Sequence, residues 1–308
     1  MPVDLSCNFL GLALNNPVVL ASGIIGTSPA LLTRAALSGA GAVTAKSCSI
    51  EPRLGHPNPV SVDWGFGIIN AIGLSNPGAA EEVHLLVEAR KQLDALGVPL
   101  FASIFAATTA QFGEVARLIS TANPHLIEVN ISCPNVADEF GTPFAATCES
   151  AAAVTEAVKA ATTIPIAIKL APNVPSIGRI AAAVVEAGAD AITAINTMPG
   201  MVINAQAGTA VLSNKMGGIS GPALKPIALR CVAEIARSVK VPIIGTGGIT
   251  NGIDAAEMLM AGATIVGVGS AVWYRGVPAL GQINEELSDF MQQQGYHNLS
   301  DLRGAALR

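Results

Sequence analysis

Charge is scarce in this chain. Asp, Glu, Lys and Arg make up 13% of its 308 residues while 51% are hydrophobic, so most of the chain must lie in an extensive core. The charge present sums to −5 and forms no Lys/Arg cluster, which argues against nucleic acid as a partner. Cysteine is sparse too. Cys7, Cys48, Cys133, Cys148 and Cys231 are odd in number and never spaced CxxC, a pattern that excludes a disulfide framework and a zinc or iron–sulfur site. His56, His84, His125 and His297 stand apart without metal-ligand spacing, so any metal or cluster chemistry is expected on another chain. No run approaches about 18 uninterrupted apolar residues, and the N-terminus lacks a basic region followed by an apolar one. A cytoplasmic protein without membrane attachment is the expectation. Aromatics are only 4%, and the abundance of Ala, Gly and Val in their place points to helices packed closely over a parallel sheet.

What is there is an alternation. Short β-rich runs occur at 17–23, 41–46, 99–105, 126–132, 164–170, 191–197, 241–245 and 264–269. Helical stretches lie between them, among them 81–96, 110–121, 150–161 and 224–239, and 279–294 follows the eighth run. Eight strands each followed by a helix, with continuous apolar strands, predict one (β/α)8 TIM barrel domain over residues 1–308. Two connections, from Ser47 to about Ala80 and from Met198 to about Ala223, are too long for plain loops and are rich in Gly, Pro and Asn. Both follow strands, after strands 2 and 6, and so overhang the C-terminal face on which barrel active sites are built.

The densest polar motif is NISCPN, Asn130 to Asn135, at the end of the fourth strand. Carboxamides offer the paired donors and acceptors that a flat polar ring requires, and the thiol of Cys133 can give or take a proton. In isolation the motif is equally a strand-end turn with a buried cysteine. The other strand ends add Ala21-Ser22-Gly23, Lys46-Ser47, Lys169, Asn196-Thr197, the GTGG run through Gly247 and Gly248, and Gly269-Ser270. Lys46 and Lys169 sit in apolar strands with no acid in either, so burial without an anionic ligand is costly. Glycine turns on strands seven and eight lie where such barrels bind phosphate through backbone N–H groups. INAIGLSNPG, from Ile69 to Gly78, reads as a lid over a small planar ligand, although Ser75 to Gly78 alone reads as a surface turn.

In these motifs and their order the chain resembles the dihydroorotate dehydrogenase family of flavin enzymes: ASG, AKS, EPRLGHPNP, INAIGLSNPG, NISCPN, KLAPNV, INT, GGISGPALKP, GTGGI and VGSA span nearly its whole length. INAIGLSNPG and INT resemble the NAD-linked class, whose catalytic subunit works with an iron–sulfur, FAD-containing flavoprotein around a homodimer core. The resemblance implies FMN as cofactor and Cys133 as the base that takes a proton from carbon 5 of dihydroorotate while hydride leaves carbon 6. It implies that Lys46, Asn70, Asn130, Asn135, Asn196 and Thr197 hold the pyrimidine, with Ala71, Ile72, Gly73 and Leu74 closing over it. Lys169 then faces the flavin ring and stabilises the negative charge developed on reduction. Ala21, Ser22, Gly23, Lys46, Ser47, Asn130, Ile195 and Gly221 line the FMN, and Gly247, Gly248, Gly269 and Ser270 cradle its phosphate.

The chain departs from the family's pattern in four places. Only residues 136–139 separate NISCPN from Phe140-Gly141, His56 and Val60 stand where the lid usually has asparagine and arginine, Ser103 replaces an asparagine on the third strand, and SVDWGFG is unusual. These changes bear on lid closure and on the electron acceptor. Two alternatives share the barrel: a dihydropyrimidine dehydrogenase-like reductase of uracil or thymine, and a non-catalytic flavin-binding subunit.

Overall fold

The computed structural model describes residues 3–132 and 144–308, so Cys133, Asn135 and the short segment 136–139 lie outside the described residues. The expected alternation is present. The barrel strands are β1 (Val18–Leu20), β2 (Ala42–Cys48), β3 (Leu100–Ile104), β4 (Leu126–Asn130), β5 (Ile166–Leu170), β6 (Ala191–Ala194), β7 (Ile243–Thr246) and β8 (Ile265–Val268). Each is parallel to its neighbours, and β8 closes the barrel onto β1 through Val266 opposite Val18 and Val268 opposite Leu20. Between them run α1 (Pro29–Leu37), α2 (Ala79–Asp94), α3 (Thr109–Ser120), α4 (Cys148–Lys159), α5 (Ile177–Glu186), α6 (Lys225–Ser238) and α7 (Gly252–Met260), and α8 (Ala279–Gln294) follows β8.

Local chemistry starts these helices where they start. Ser28, Thr108 and Thr147 accept hydrogen bonds from backbone N–H groups of the first turns of α1, α3 and α4. Asn251 and Asp254 form a reciprocal capping box on α7. Helix α5, rich in Ile, Ala and Val, turns Ile177, Ile180, Ala181 and Val184 onto the barrel.

Apolar side chains gather in two principal places. The larger core lies between barrel and helices and includes Ile127, Val129, Ile166 and Ile168, on alternate positions of β4 and β5. The opposite parity points into the barrel, where Phe101, Leu126, Ala167, Ala191 and Ile244 form a floor. An antiparallel hairpin, Cys7–Phe9 with Leu12–Leu14, plugs that floor with fully buried Phe9 and almost fully buried Leu14. Each such side chain contributes about 1.5–3 kcal/mol. Closing the barrel's bottom leaves the strand C-termini as the face on which a ligand can be held.

The two long connections are not separate loops. Ser61–Asp63 and Ile68–Asn70 from the first pair with Met216–Ser220 and Met198–Met201 from the second in one four-stranded antiparallel sheet. Its seam sets Asn70 opposite Gly218 and Ile68 opposite Ser220. Ile69, Ala71 and Leu212 form a small core of their own within it.

Candidate active site

A cavity of about 290 Å³ opens above the strand C-termini, roofed by this sheet. That size lies near the low end of the roughly 300–1,000 Å³ usual for small-molecule sites. Every strand-end group singled out in the sequence, within the described residues, meets in its wall. β1 supplies Ala21, Ser22 and Gly23, β2 Lys46 and Ser47, β4 Asn130, β5 Lys169, and β6 Ile195, Asn196 and Thr197. The glycine turns after β7 and β8 add Gly247, Gly248, Gly269 and Ser270, and Gly221 joins them ahead of α6. From the roof come Asn70, Ile72, Gly73 and Leu74. Ala71 is the exception. Between Asn70 and Ile72 it turns the other way, into the small core with Ile69 and Leu212.

The carboxamides are held rather than loose. Asn196 donates to the carbonyl and the hydroxyl of Ser132 at 3.1 Å each, and its own oxygen accepts from Thr197 N–H at 2.8 Å. Asn130 Oδ1 accepts from the Ser132 hydroxyl at 3.2 Å. These bonds fix the planes of both amides at the point where the chain enters Cys133.

The roof segment is stapled from behind. Buried Asn76 donates to the Leu74 carbonyl at 2.9 Å and to Ser49 Oγ at 3.1 Å, and accepts from Gly78 N–H at 2.9 Å and Ser49 N–H at 3.2 Å. The Ser75–Gly78 turn is thus an anchor rather than a free surface loop. His56 N–H donates to the Ile72 carbonyl at 3.0 Å, and Arg53 pairs with Asn76 through two backbone hydrogen bonds. The close approach requires glycine at 73, where a Cβ would meet His56 N at 2.6 Å with φ at +76°. Leu74 holds φ of 57°, a left-handed conformation uncommon for a branched residue.

One expectation needs correcting. Lys169 does have an anionic protein partner, from the neighbouring strand instead of its own. Its ammonium lies 3.3 Å from Glu128 Oε1, with the two side chains 8% and 5% exposed. The same carboxylate oxygen accepts from the Ser22 hydroxyl at 2.7 Å and the Ser103 hydroxyl at 3.1 Å, and Lys169 donates to Ser22 Oγ at 3.0 Å. Ser47 and Ser103 share a further hydrogen bond of 2.8 Å. Glu128 was legible in principle, since it lies two residues before Asn130 and so shares its face of β4. Trp273 and Ser61, also in the wall, carry no comparable signal in the sequence.

On the phosphate-type turns, Gly248 has φ of +76° and a Cβ there would lie 2.5 Å from Lys225 Cβ. Lys225 is committed elsewhere, to Asp254 at 2.6 Å and Glu257 at 2.7 Å. Burial opposes its charge, but the hydrogen bonds to these two carboxylates hold its ionisation above the usual lysine value. Gly23 and Gly269 face open space, with nothing within 4 Å of a Cβ at Gly23 and only Ala21 Cβ, at 3.8 Å, near one at Gly269. Among the described residues the hydroxyls of Thr193 and Thr246 are buried without a hydrogen-bond partner, and Thr246 lies in the cavity wall. Such orphaned groups mark where a polar ligand or water completes the structure. Among the described residues no group of three or more His, Cys, Asp or Glu side chains could hold a metal, and no helix is long and apolar enough to cross a membrane.

The family profile described as dihydroorotate dehydrogenase matches residues 4–291. The chain is 42% identical over 297 residues to the protein of Methanosarcina mazei named dihydroorotate dehydrogenase B (NAD(+)), catalytic subunit, covering 96% of this chain and 93% of that one. Proteins of the same name from Pyrococcus abyssi and Methanocaldococcus jannaschii are 40% and 41% identical, over 304 and 302 residues, with 98–99% of each chain covered.

Proposed function

Because the chain belongs to the dihydroorotate dehydrogenase family, we propose that it oxidises dihydroorotate to orotate with a bound flavin mononucleotide, in the synthesis of pyrimidine nucleotides. The observation that carries this reading is the convergence of Lys46, Asn70, Asn130, Lys169, Asn196 and Thr197 on one cavity beside two glycine turns. Full-length relatives named for this activity support it.

The residues fit such a cofactor on several counts. The backbone at Gly23 and Gly269 faces open space, the Thr246 hydroxyl is an unpartnered buried donor, and Gly247 and Gly248 line the cavity at positive φ, where a phosphate seat of backbone N–H groups would be built. Lys169 supplies a cation beside the ring, with Ser22 as its neighbour. Held by these residues, a flavin would supply the acceptor for the hydride that leaves carbon 6.

The chain's own groups do the rest. Asn130, Asn196 and Thr197, fixed through Ser132, present donors and acceptors to the pyrimidine's amide edge, and Lys46 attracts its carboxylate. Asn70 and the anchored stretch from Ile72 to Leu74 cover the ring from above and limit the access of water. Cys133, with Asn135 in the same motif, takes the proton from carbon 5. A positioned base of this kind contributes about a hundred- to ten-thousand-fold.

Electrons leave through a partner. The relatives' name, a catalytic subunit linked to NAD(+), supports a partner subunit; in the reading proposed here that partner is an iron–sulfur, FAD-containing flavoprotein that docks on a homodimer of this chain. The purified chain should turn over dihydroorotate with small artificial acceptors and leave dihydrouracil untouched. It should reduce NAD only once the iron–sulfur subunit is added. Preference for dihydrouracil would transfer the chain to the dihydropyrimidine dehydrogenase-like reading, and fast NAD reduction by the chain alone would refute the two-subunit route.

A further inference from the structure

Glu128 occupies an unusual place. It lies one step above the apolar floor of the barrel, two residues past Leu126, and pairs with Lys169, one of the two lysines in the cavity wall. Its side chain is buried, yet a single oxygen, Oε1, collects three donors: Ser22, Ser103 and Lys169. Two of them, Ser22 and Lys169, are themselves in the cavity wall. Ser103 in turn reaches Ser47, also in the wall. One carboxylate therefore ties together side chains from β1, β2, β3 and β5 without lying in the cavity wall.

We propose that Glu128 is a positioning residue that holds the Lys169 ammonium and the Ser22 hydroxyl in place and sets the electrical balance beneath the flavin ring, an inference that rests on the flavin reading above. A lysine buried alone would present a full positive charge to the ring or shed its proton. Paired with Glu128 at 3.3 Å, it is half of an ion pair that is nearly neutral at a distance. The ring then meets a cation whose pull is partly cancelled, so the charge gained on reduction is stabilised, but by less than a lone lysine would give. Glu128 thereby keeps the bound flavin a weaker oxidant than Lys169 alone would make it, and electrons pass onward from it more readily.

The substitution E128Q keeps the shape and acceptor oxygen and deletes the charge. A unit charge several ångströms from the ring, at an effective dielectric near 20, changes the preference for reduced over oxidised flavin by about one to two powers of ten. For a two-electron couple that is about 30–60 mV upward in midpoint potential. The measurement is an equilibrium redox titration of the FMN-loaded chain against a reference dye. In E128Q/K169M both charges are gone, and the rise should vanish. In E128D the carboxylate stays but is drawn back by one methylene, and a smaller rise should appear; this variant carries the test should E128Q fail to fold. An unchanged or lowered potential in E128Q, a rise that survives in the double variant, or an E128D potential at or below wild type would overturn the assignment. Release of FMN from the wild-type chain by acid precipitation checks the flavin reading separately, and a chain that holds no FMN refutes that reading and this inference with it.

Discussion

Replacing Asn76 by alanine probes how the roof of the site is held. The side chain makes four hydrogen bonds, two to Ser49 and one each to the Leu74 carbonyl and Gly78 N–H. At about 1 kcal/mol net for a typical bond, and more where a buried partner is left unsatisfied, the loss comes to roughly 2–4 kcal/mol. At about 2.1 cal/mol/K per residue, a chain of this length should melt about 3–6 °C lower. The functional effect is larger than the thermal one is dramatic, because Leu74 keeps its left-handed conformation only while its surroundings impose it. Freed of Asn76, the stretch from Ile72 to Leu74 samples other conformations and must be reordered when ligand binds. Orotate affinity should fall about tenfold or more, equivalent to about 1.4 kcal/mol. Calorimetry gives the first number and fluorescence titration with orotate the second, while amide exchange across residues 71–76 shows whether the loosening is local. A variant that melts within 1 °C of wild type, by roughly the same scale, and binds orotate within twofold would refute the claim that Asn76 anchors the roof.

Three further outcomes follow from other parts of the molecule. Burial, with Glu81 beside it, pushes the Glu82 carboxyl from 4.5 up to about 7. Its folded-state value is above the unfolded one, so the fold binds the extra proton; stability is intact below about pH 4.5, declines as pH rises through 7 and stays reduced above. At 1.36 kcal/mol per pH unit the cost at pH 8 is roughly 3 kcal/mol, so Glu82→Gln should raise Tm at pH 8 and leave it unchanged near pH 4; an equal gain at both pH values would contradict this. Gly248→Ala would drive a Cβ to 2.5 Å from Lys225 Cβ at φ of +76°, so FMN affinity should drop at least tenfold, and a variant that retains wild-type affinity would show that this turn does not seat the phosphate. Cys133→Ser should slow flavin reduction by dihydroorotate about a hundredfold or more with little change in orotate binding, read by stopped-flow absorbance, and a rate within a few-fold of wild type would remove Cys133 as the base.

The barrel was legible because its strands are largely apolar runs with polar residues at or near their C-terminal ends, as Asn130 at the end of β4 and Lys169 one residue before the end of β5 show. Helix limits moved by only a residue or two, as α2 (Ala79–Asp94) against 81–96 illustrates. The roof was legible as two long connections but not as a sheet. Its strands are three to five residues long, contain several glycines, and find their partners far along the chain, as Asn70 does at Gly218. No local periodicity encodes such a pairing. The same limit hid the ion pair beneath the cavity. Within its own strand Lys169 has no acid near it, and Glu128 becomes its partner only when β4 and β5 lie side by side with Asn130 opposite Lys169. Ala71, assigned to the ligand by its neighbours in the motif, faces its own small core because alternate residues there point to opposite sides.

The most direct test of the account is a single anaerobic titration of the purified chain with dihydroorotate. The account predicts that the chain carries one FMN, that its visible absorbance bleaches to an end point at one dihydroorotate per flavin, and that one orotate appears for each flavin reduced. A colourless chain, or a flavin that stays oxidised under excess dihydroorotate, would contradict it.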